Sequence, residues 1–427
     1  MNLIDQLKRS GSVAQLSSEE ELSVHLKEKS RSVYCGFDPT AESLHIGNLV
    51  PLLALRRFQL SGHRPILLLG GATGIIGDPS GRDSERELQS LDVVEKQMLS
   101  IRSQAKAFLD FDCGSNSAIV VNNLDWISEI SVIEYLRDIG KHFSVNAMMQ
   151  KESVRRRIET ESQGISYTEF SYMLLQSYDY LVLNRKYDCT IQIGGSDQWG
   201  NITAGIDLIR RVEGVSAFAI TYPLITKSDG TKLGKSTGGS IWLDRRKTSP
   251  FSFYQFWLNT TDDEAIRYLN TFTFLAPEEV NDIVCGHNDA PENRLAQKML
   301  AAEVTKIVHG ASGLEAAERI TAALFGRDIN SLREDDFEQL ALDGISNSRL
   351  ETSNNSLLNA LVVSGLAETP RGEATIGQAK KLVKGNSVSV NGTKILDDKM
   401  TLEKKDAMYG KFFLIQKGKK KHHLILL

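Results

Sequence analysis

The strongest constraint on the fold is a short run at residues 64–70, RPILLLG, which is apolar almost without interruption. A strand with one wet face alternates. A run apolar at every position belongs to a strand covered on both faces, as in a parallel sheet. Residues 32–37 (SVYCGF), 118–121 (AIVV) and 189–193 (CTIQI) have the same texture, and helical patterns lie between them at 46–61, 132–142 and 168–184. Strands alternating with helices predict an α/β fold, a doubly wound and mostly parallel sheet.

After about residue 223 the pattern changes. Helices are expected at 251–258, 263–268 and 292–308 without intervening strands, and the polar stretch 328–355 reads as a linker with some helix. The last segment has the texture of a small α+β domain. It offers helices at 356–363 and 376–383, a hairpin over 387–396 turning on Asn391-Gly392, and strands at 412–416 and 424–427. The expected division is therefore 1–222, 223–327, a linker 328–355, and 356–427.

The formal net charge of -4 over 427 residues hides an asymmetry. From residue 371 to the end there are 13 Lys/Arg against 5 Asp/Glu, a net of +8, while the remaining 370 residues carry 37 against 49, a net of -12. A basic module on an acidic body suits contact with nucleic acid at one end. A lysine-rich tail that only aids solubility is the alternative. The four cysteines, Cys35, Cys113, Cys189 and Cys285, form no CxxC pair, which excludes a compact zinc ribbon and suits a reducing compartment. No run approaches the roughly 20 apolar residues of a membrane span, and the N-terminus lacks a secretory h-region. A cytoplasmic protein is expected, touching no membrane.

Five constellations carry chemistry. His45-Ile46-Gly47-Asn48 opens the helix after the first long strand, where an anion or nucleotide is well placed. Residues 70–81, GGATGIIGDPSG, form a glycine-rich loop ending in Asp78, a carboxylate able to accept from an ammonium group. Their glycine spacing differs from the dinucleotide fingerprint GxGxxG. On the helix 168–184, Tyr172, Gln176 and Asp179 stand at i, i+4 and i+7. They make a polar stripe on an otherwise apolar element, which has to face solvent or a polar pocket. Residues 192–201, QIGGSDQWGN, follow a strand and bring Gln192, Asp197 and Gln198 to its carboxyl end. Finally Lys232-Leu233-Gly234-Lys235-Ser236 sets two lysines and a hydroxyl in a glycine-flanked loop. That composition suits a polyphosphate whose charge grows during reaction, although the spacing misses the P-loop by one residue.

Taken together these segments resemble bacterial-type tyrosyl-tRNA synthetases. HIGN is similar to the HIGH motif of class I aminoacyl-tRNA synthetases and KLGKS to their KMSKS loop. YCGFDPTAESLHIGN, TEFSYMLLQSYDYL and QIGGSDQWGN resemble the tyrosyl branch in particular. The resemblance spans nearly the whole chain and includes an S4-like RNA-binding module at about 356–427. Two departures stand out. Asn48 replaces the second histidine of HIGH, and Leu233 and Gly234 replace the Met and Ser of KMSKS.

The resemblance implies a Rossmann-like catalytic domain with a dimer-interface insertion near 125–165. It also implies roles. Tyr34 and Asp179 would read a phenolic hydroxyl; Asp78, Tyr172 and Gln176, with Gln192 nearby, would bind an α-ammonium group. Asp38, Asp197, Gln198, Cys35 and Gly36 would contact the adenylate and its ribose. Thr40, His45, Gly47 and Asn48 would surround the ATP phosphates, and Lys232, Lys235, Ser236, Arg82 and Arg86 would close on the pyrophosphate. The implied substrates are L-tyrosine, ATP with Mg2+, and tRNA(Tyr), with no tightly held metal and a homodimeric state. Rival readings are a tryptophanyl-tRNA synthetase, an HxGH nucleotidyltransferase, and an RNA-binding protein on a degenerate synthetase scaffold.

Overall fold

The architecture is that of a computed structural model, which describes residues 3–80, 89–159, 165–226, 233, 235–236, 239–326, 328–350, 354–369, 372–418 and 421–427. It divides into two compact units, residues 1–243 with 262–296, and residues 244–261 with 297–427.

The first unit is built on a six-stranded sheet. Its strands are β1 (Gln15–Leu16), β2 (Ser32–Phe37), β3 (Arg64–Leu69), β4 (Ile119–Asn122), β5 (Cys189–Gly195) and β6 (Phe218–Tyr222), in the order β1-β6-β5-β2-β3-β4. All neighbours run parallel except β1, which pairs antiparallel with β6 at the edge. The apolar run after Arg64 is buried from Pro65 to Leu69, as expected of a strand covered on both faces. Chain order moves outward from β2 through β3 to β4, then returns across β2 to β5 and β6. The reversal falls between β2 and β5, and a crevice opens at their carboxyl ends.

The helix Tyr167–Tyr187 covers one face of this sheet. Ser166 caps it by accepting from Glu169 N, and it ends where Asp188 turns left-handed at φ 48°. Its Tyr180, Leu181 and Leu183 pack with Tyr34, Ile66, Leu68 and Trp126 in one buried cluster. The stretch expected as one helix at 132–142 changes pitch instead. It is α-helical at Val132–Glu134, π-helical at Tyr135–Ile139 and 3-10 at Gly140–His142.

Two short strands, β7 (Lys235–Ser236) and β8 (Gly239–Ser240), pair as a separate ribbon. The first unit also contains helices Asp262–Phe272 and Pro277–Asp289. The second of these went unanticipated, although Pro277 at its first position and Glu279 accepting from Ala276 N are a legible start signal.

The helix expected at 292–308 starts at Leu295 and ends at Gly310, where φ 74° and ψ 178° exclude helix, and a second helical stretch follows to Gly326. The C-terminal sheet comprises β9 (Asn347–Arg349), β10 (Val388–Val390), β11 (Thr393–Lys394), β12 (Phe412–Lys417) and β13 (Lys421–Leu426), in the order β11-β10-β12-β13-β9. The Asn391-Gly392 turn has positive φ at both residues, which a two-residue type I′ hairpin requires. Strand β12 uses its alternation to feed two cores. Phe413 and Ile415 join Leu357, Leu361 and Val383 beneath the domain's own helices. Phe412 and Leu414 join Phe251, Leu324, Phe337 and Leu340 on the other face. The stretch 328–355, expected as a linker with some helix, carries the helix Glu334–Gln339 and β9. Its fully buried Asp336 receives both Nε and Nη2 of Arg319 at 2.7 and 2.8 Å.

Candidate active site

A cleft of about 700 Å³ opens at the carboxyl ends of β2, β3 and β5. It gathers residues that lie far apart in the chain. Tyr34, Cys35 and Gly36 come from β2, and Asp38 and Thr40 from the turn that follows. His45, Gly47 and Asn48 come from the next helix start and Asp78 from the glycine-rich loop. Tyr172, Gln176 and Asp179 come from the polar stripe, and Gln192, Asp197 and Gln198 from β5 and its end. Every one of these expected site residues lines the same space. Lys232, Arg82 and Arg86 lie outside the described residues, as do the side chains of Lys235 and Ser236. Of the KLGKS segment, Leu233 lines the cleft, and its N–H donates to Ile225 O at 2.9 Å.

The HIGN segment is a capped helix start. His45 Nδ1 accepts from Gly47 N at 3.0 Å, and Asn48 Oδ1 accepts from His45 N at 3.0 Å. Asn48 thus supplies an acceptor that a protonated imidazole in its place lacks. A Cβ at 47 would lie 2.7 Å from His45 Cε1, so any larger residue there would have to displace the imidazole. The stretch after the lysine loop is tied to the same point: Ile46 N donates to Ile241 O and Leu243 N to Leu44 O, at 3.0 and 2.8 Å.

Two hydrogen-bonded groups shape the polar walls. In the first, Asp38 accepts from Tyr172 Oη and Thr73 Oγ1, each at 2.7 Å. Asp179 accepts from Asn123 Nδ2 at 3.0 Å and Trp126 Nε1 at 2.8 Å. In the second, Gln198 Nε2 donates to Asp78 Oδ2 at 2.7 Å. Asn201 Nδ2 donates to Gln176 Oε1 at 3.1 Å and Gln198 Oε1 at 3.3 Å. Burial pushes the Asp179 carboxyl up to about 7, against the opposing pull of its Asn123 and Trp126 donors. The buried Cys35 thiol is pushed up to about 12, which keeps it protonated and unreactive. Among the described residues, three that line the cleft, Tyr34, Gln192 and Tyr222, have a buried side-chain oxygen without a hydrogen-bond partner. A buried polar atom left unpaired costs about 1–3 kcal/mol, so an entering ligand that bonds to one of them offsets that cost.

The model of the family described as tRNA synthetases class I (W and Y) matches residues 26–326. The chain belongs to the class I tRNA synthetases. A second family, the tyrosine–tRNA ligase SYY-like C-terminal domain, matches residues 336–425 of this synthetase. The synthetase is 52% identical over 424 residues to the tyrosine–tRNA ligase of Aliivibrio fischeri, covering 99% of this chain and 98% of that one. It is 50% identical over 424 residues to the tyrosine–tRNA ligase of Escherichia coli, with the same coverage. Among solved structures it resembles a C-terminally truncated mitochondrial tyrosyl-tRNA synthetase from Aspergillus nidulans. That match has a TM-score of 0.68 at 31% identity, over 76% of this chain and 94% of that one. The expected fold, a Rossmann-like parallel sheet followed by helices and a small α+β domain, is the fold of this synthetase.

Sequence reasoning passed over Thr73 and Ser80, which line the cleft themselves, and Asn123, Trp126 and Asn201, which hold lining residues in place. One signal for Asn123 was available. Asn122-Asn123 directly follows an apolar strand run, at the carboxyl end where ligands gather in such sheets.

Proposed function

We infer that this enzyme is a tyrosine–tRNA ligase, which activates L-tyrosine with ATP and passes the tyrosyl group to the terminal adenosine of tRNA(Tyr). The observation that carries the amino-acid choice is the buried, unpartnered hydroxyl of Tyr34, whose pKa is raised first by burial and then by the neighbouring Tyr180 and Asp179. A phenol entering between a hydroxyl and a carboxylate satisfies both, while a phenyl ring leaves them unpaired. Rejection of phenylalanine by this route is already the known behaviour of tyrosyl-tRNA synthetases as a family.

The remaining lining residues divide by chemistry. Asp78, Tyr172, Gln176 and Gln192 offer acceptors to an α-ammonium group. Asp38, Asp197, Gln198, Cys35 and Gly36 face the adenosine side, and Thr40, His45, Gly47 and Asn48 the phosphates. Lys232, Lys235, Ser236, Arg82 and Arg86 are assigned to the leaving pyrophosphate. ATP enters with Mg2+ as part of the substrate. The tyrosine carboxylate oxygen attacks the α-phosphorus, the bond to the bridging oxygen breaks, and pyrophosphate leaves. The 2′- or 3′-hydroxyl of the tRNA terminus then attacks the activated carbonyl, its proton departs, and AMP is released. The protein's part is to position the reactants and to stabilise growing phosphate charge.

The second unit is assigned to tRNA. Its support is the net +8 of residues 371–427 and a groove of about 590 Å³ lined by Phe251, Gln255, Asn259, Phe325, Lys421 and His422. A homodimer with its interface near 125–165 is supported by exposed apolar side chains there, Val132, Ile133, Leu136 and Val145. A cytoplasmic location suits the four free cysteines. The test is amino-acid-dependent ATP–pyrophosphate exchange with tyrosine, phenylalanine and tryptophan in parallel. Exchange with tyrosine alone supports the reading, exchange with tryptophan refutes the pocket assignment, and no exchange refutes the enzyme.

A further inference from the structure

Thr73 is not among the residues assigned to either substrate, yet it joins the two ends of the cleft. Its hydroxyl donates to Asp38 Oδ1 at 2.7 Å and accepts from Asn123 Nδ2 at 3.0 Å. The same amide nitrogen donates to Asp179 Oδ2 at 3.0 Å, and Asn123 Oδ1 accepts from Ala72 N at 2.8 Å. Asn123 is fully buried, and both its amide protons and its carbonyl are in use. Each of those protons serves a carboxylate, one directly and the other through a single hydroxyl. The bridge is also enclosed. A Cβ on Gly70 would lie 2.0 Å from Asp38 Oδ1 and 2.5 Å from Thr73 Oγ1, so any side chain at position 70 would collide with the bridge.

We propose that the Asn123–Thr73 bridge couples the carboxylate that reads the phenol, Asp179, to the carboxylate on the adenosine side, Asp38. Thr73 acts as a positioning residue through which the correct amino acid strengthens nucleotide binding. The proposal rests on the roles assigned above to Asp38 and Asp179. Its physical basis is a chain of donors all pointing one way, from Asn123 to Thr73 to Asp38, in a site sheltered from water where successive hydrogen bonds polarise one another. A phenol bonded to Asp179 takes up part of that carboxylate's charge. The Asn123 amide is then drawn less toward Asp179, and the Thr73 hydroxyl and Asp38 settle into the geometry that meets the nucleotide. Phenylalanine leaves Asp179 as it is in the free protein and sends no such signal. Coupling of this kind is reciprocal and typically amounts to about 5-fold or more in affinity.

The experiment uses the full chain and a non-hydrolysable probe, the α,β-methylene analogue of ATP. Its dissociation constant is measured by calorimetry at saturating tyrosine and at saturating phenylalanine, in the unsubstituted protein, Thr73→Val and Thr73→Ser. Valine keeps the branched shape and removes the hydroxyl; serine restores the hydroxyl. The expected result is tighter analogue binding with tyrosine than with phenylalanine, by about 5-fold or more. Thr73→Val should bring that ratio to within about twofold of one, and Thr73→Ser should recover it. A purely structural role would weaken analogue binding equally with both amino acids and leave the ratio intact. That result overturns the proposal, as does serine failing where valine fails. Absence of any ratio in the unsubstituted protein, with tyrosine-dependent exchange present, also overturns it. Absence of exchange itself refutes the functional reading instead.

Discussion

The indole N–H of Trp126 donates to Asp179 Oδ1 at 2.8 Å, a bond between two buried side chains 53 positions apart in the chain. Together with Asn123 it keeps a fully buried carboxylate in one orientation, with its two oxygens claimed from one side. Rotamer freedom that would blur the reading of a hydroxyl is removed before the ligand arrives.

Trp126→Phe should therefore act on tyrosine far more than on ATP. Phenylalanine fills most of the space but leaves Asp179 with Asn123 alone, and the lost donor to a buried charge is worth about 1.5–3 kcal/mol. The expected outcome is a tyrosine KM raised about tenfold or more in pyrophosphate exchange, with a smaller change in the ATP KM, no larger than the coupling between the two sites carries. Equal effects on both constants would mean that Trp126 supports the sheet and not the pocket.

Tyr34→Phe separates recognition from stability. The hydroxyl has no partner in the free protein, so removing it costs the fold nothing and relieves an unpaired buried polar atom. The melting temperature should stay level or rise. Preference for tyrosine over phenylalanine should fall about tenfold in exchange assays. A clear drop in melting temperature would show that the hydroxyl has a structural partner after all.

Much of this pocket was legible in the chain. Residues 32–37, 64–69 and 189–193 read as buried strands because parallel strands leave an unbroken apolar run, and the glycines and carboxylates after them mark the ends where ligands sit. The stripe Tyr172, Gln176 and Asp179 followed from helical spacing alone. What stayed hidden was of two kinds. The first is pairing at long range. Nothing near Asn123 or Trp126 indicates a carboxylate more than 50 residues on, and the two-residue strand β1 is too short to show a period. The second is local irregularity. The π-helical turn at Tyr135–Ile139 departs from a helical pattern that the apolar spacing keeps regular.

The raised pKa of Asp179 gives a pH dependence of definite sign. In the unfolded chain this carboxyl titrates near 3.8, and in the folded protein burial lifts it to about 7. The folded state holds the proton that the unfolded state releases, so this group's contribution is greatest below pH 3.8 and is lost as pH rises toward 7. Between those limits it subtracts about 1.4 kcal/mol per pH unit from stability. Asp179→Asn, which cannot ionise, should flatten the decline in stability of the ligand-free protein between pH 5 and pH 7. Denaturant unfolding at a series of pH values measures it. Identical slopes in the two proteins would show that Asp179 is ionised well below neutrality.

Val132 and Ile133 are 71% and 70% exposed, adjacent on the short helix Val132–Glu134, with Leu136 half-exposed one turn on and Val145 beyond. Single exposed apolar residues are ordinary on a protein surface, but several within one short segment suit the dimer interface proposed above. The segment also sits beside the pocket's supports, since Tyr135 packs in the same cluster as Trp126 and Tyr180. Covering it would therefore steady the elements that carry Asp179. Replacing Val132 and Ile133 together by glutamate buries two charges in the proposed interface and costs the fold little, as neither side chain contributes to a core. Sedimentation should change from dimer to monomer, with the melting temperature of the monomer well defined. Tyrosine affinity should fall along with association and recover at protein concentrations that restore the dimer. A double variant that remains dimeric, or an unsubstituted chain that sediments as a monomer, would move the interface away from this segment or remove it altogether.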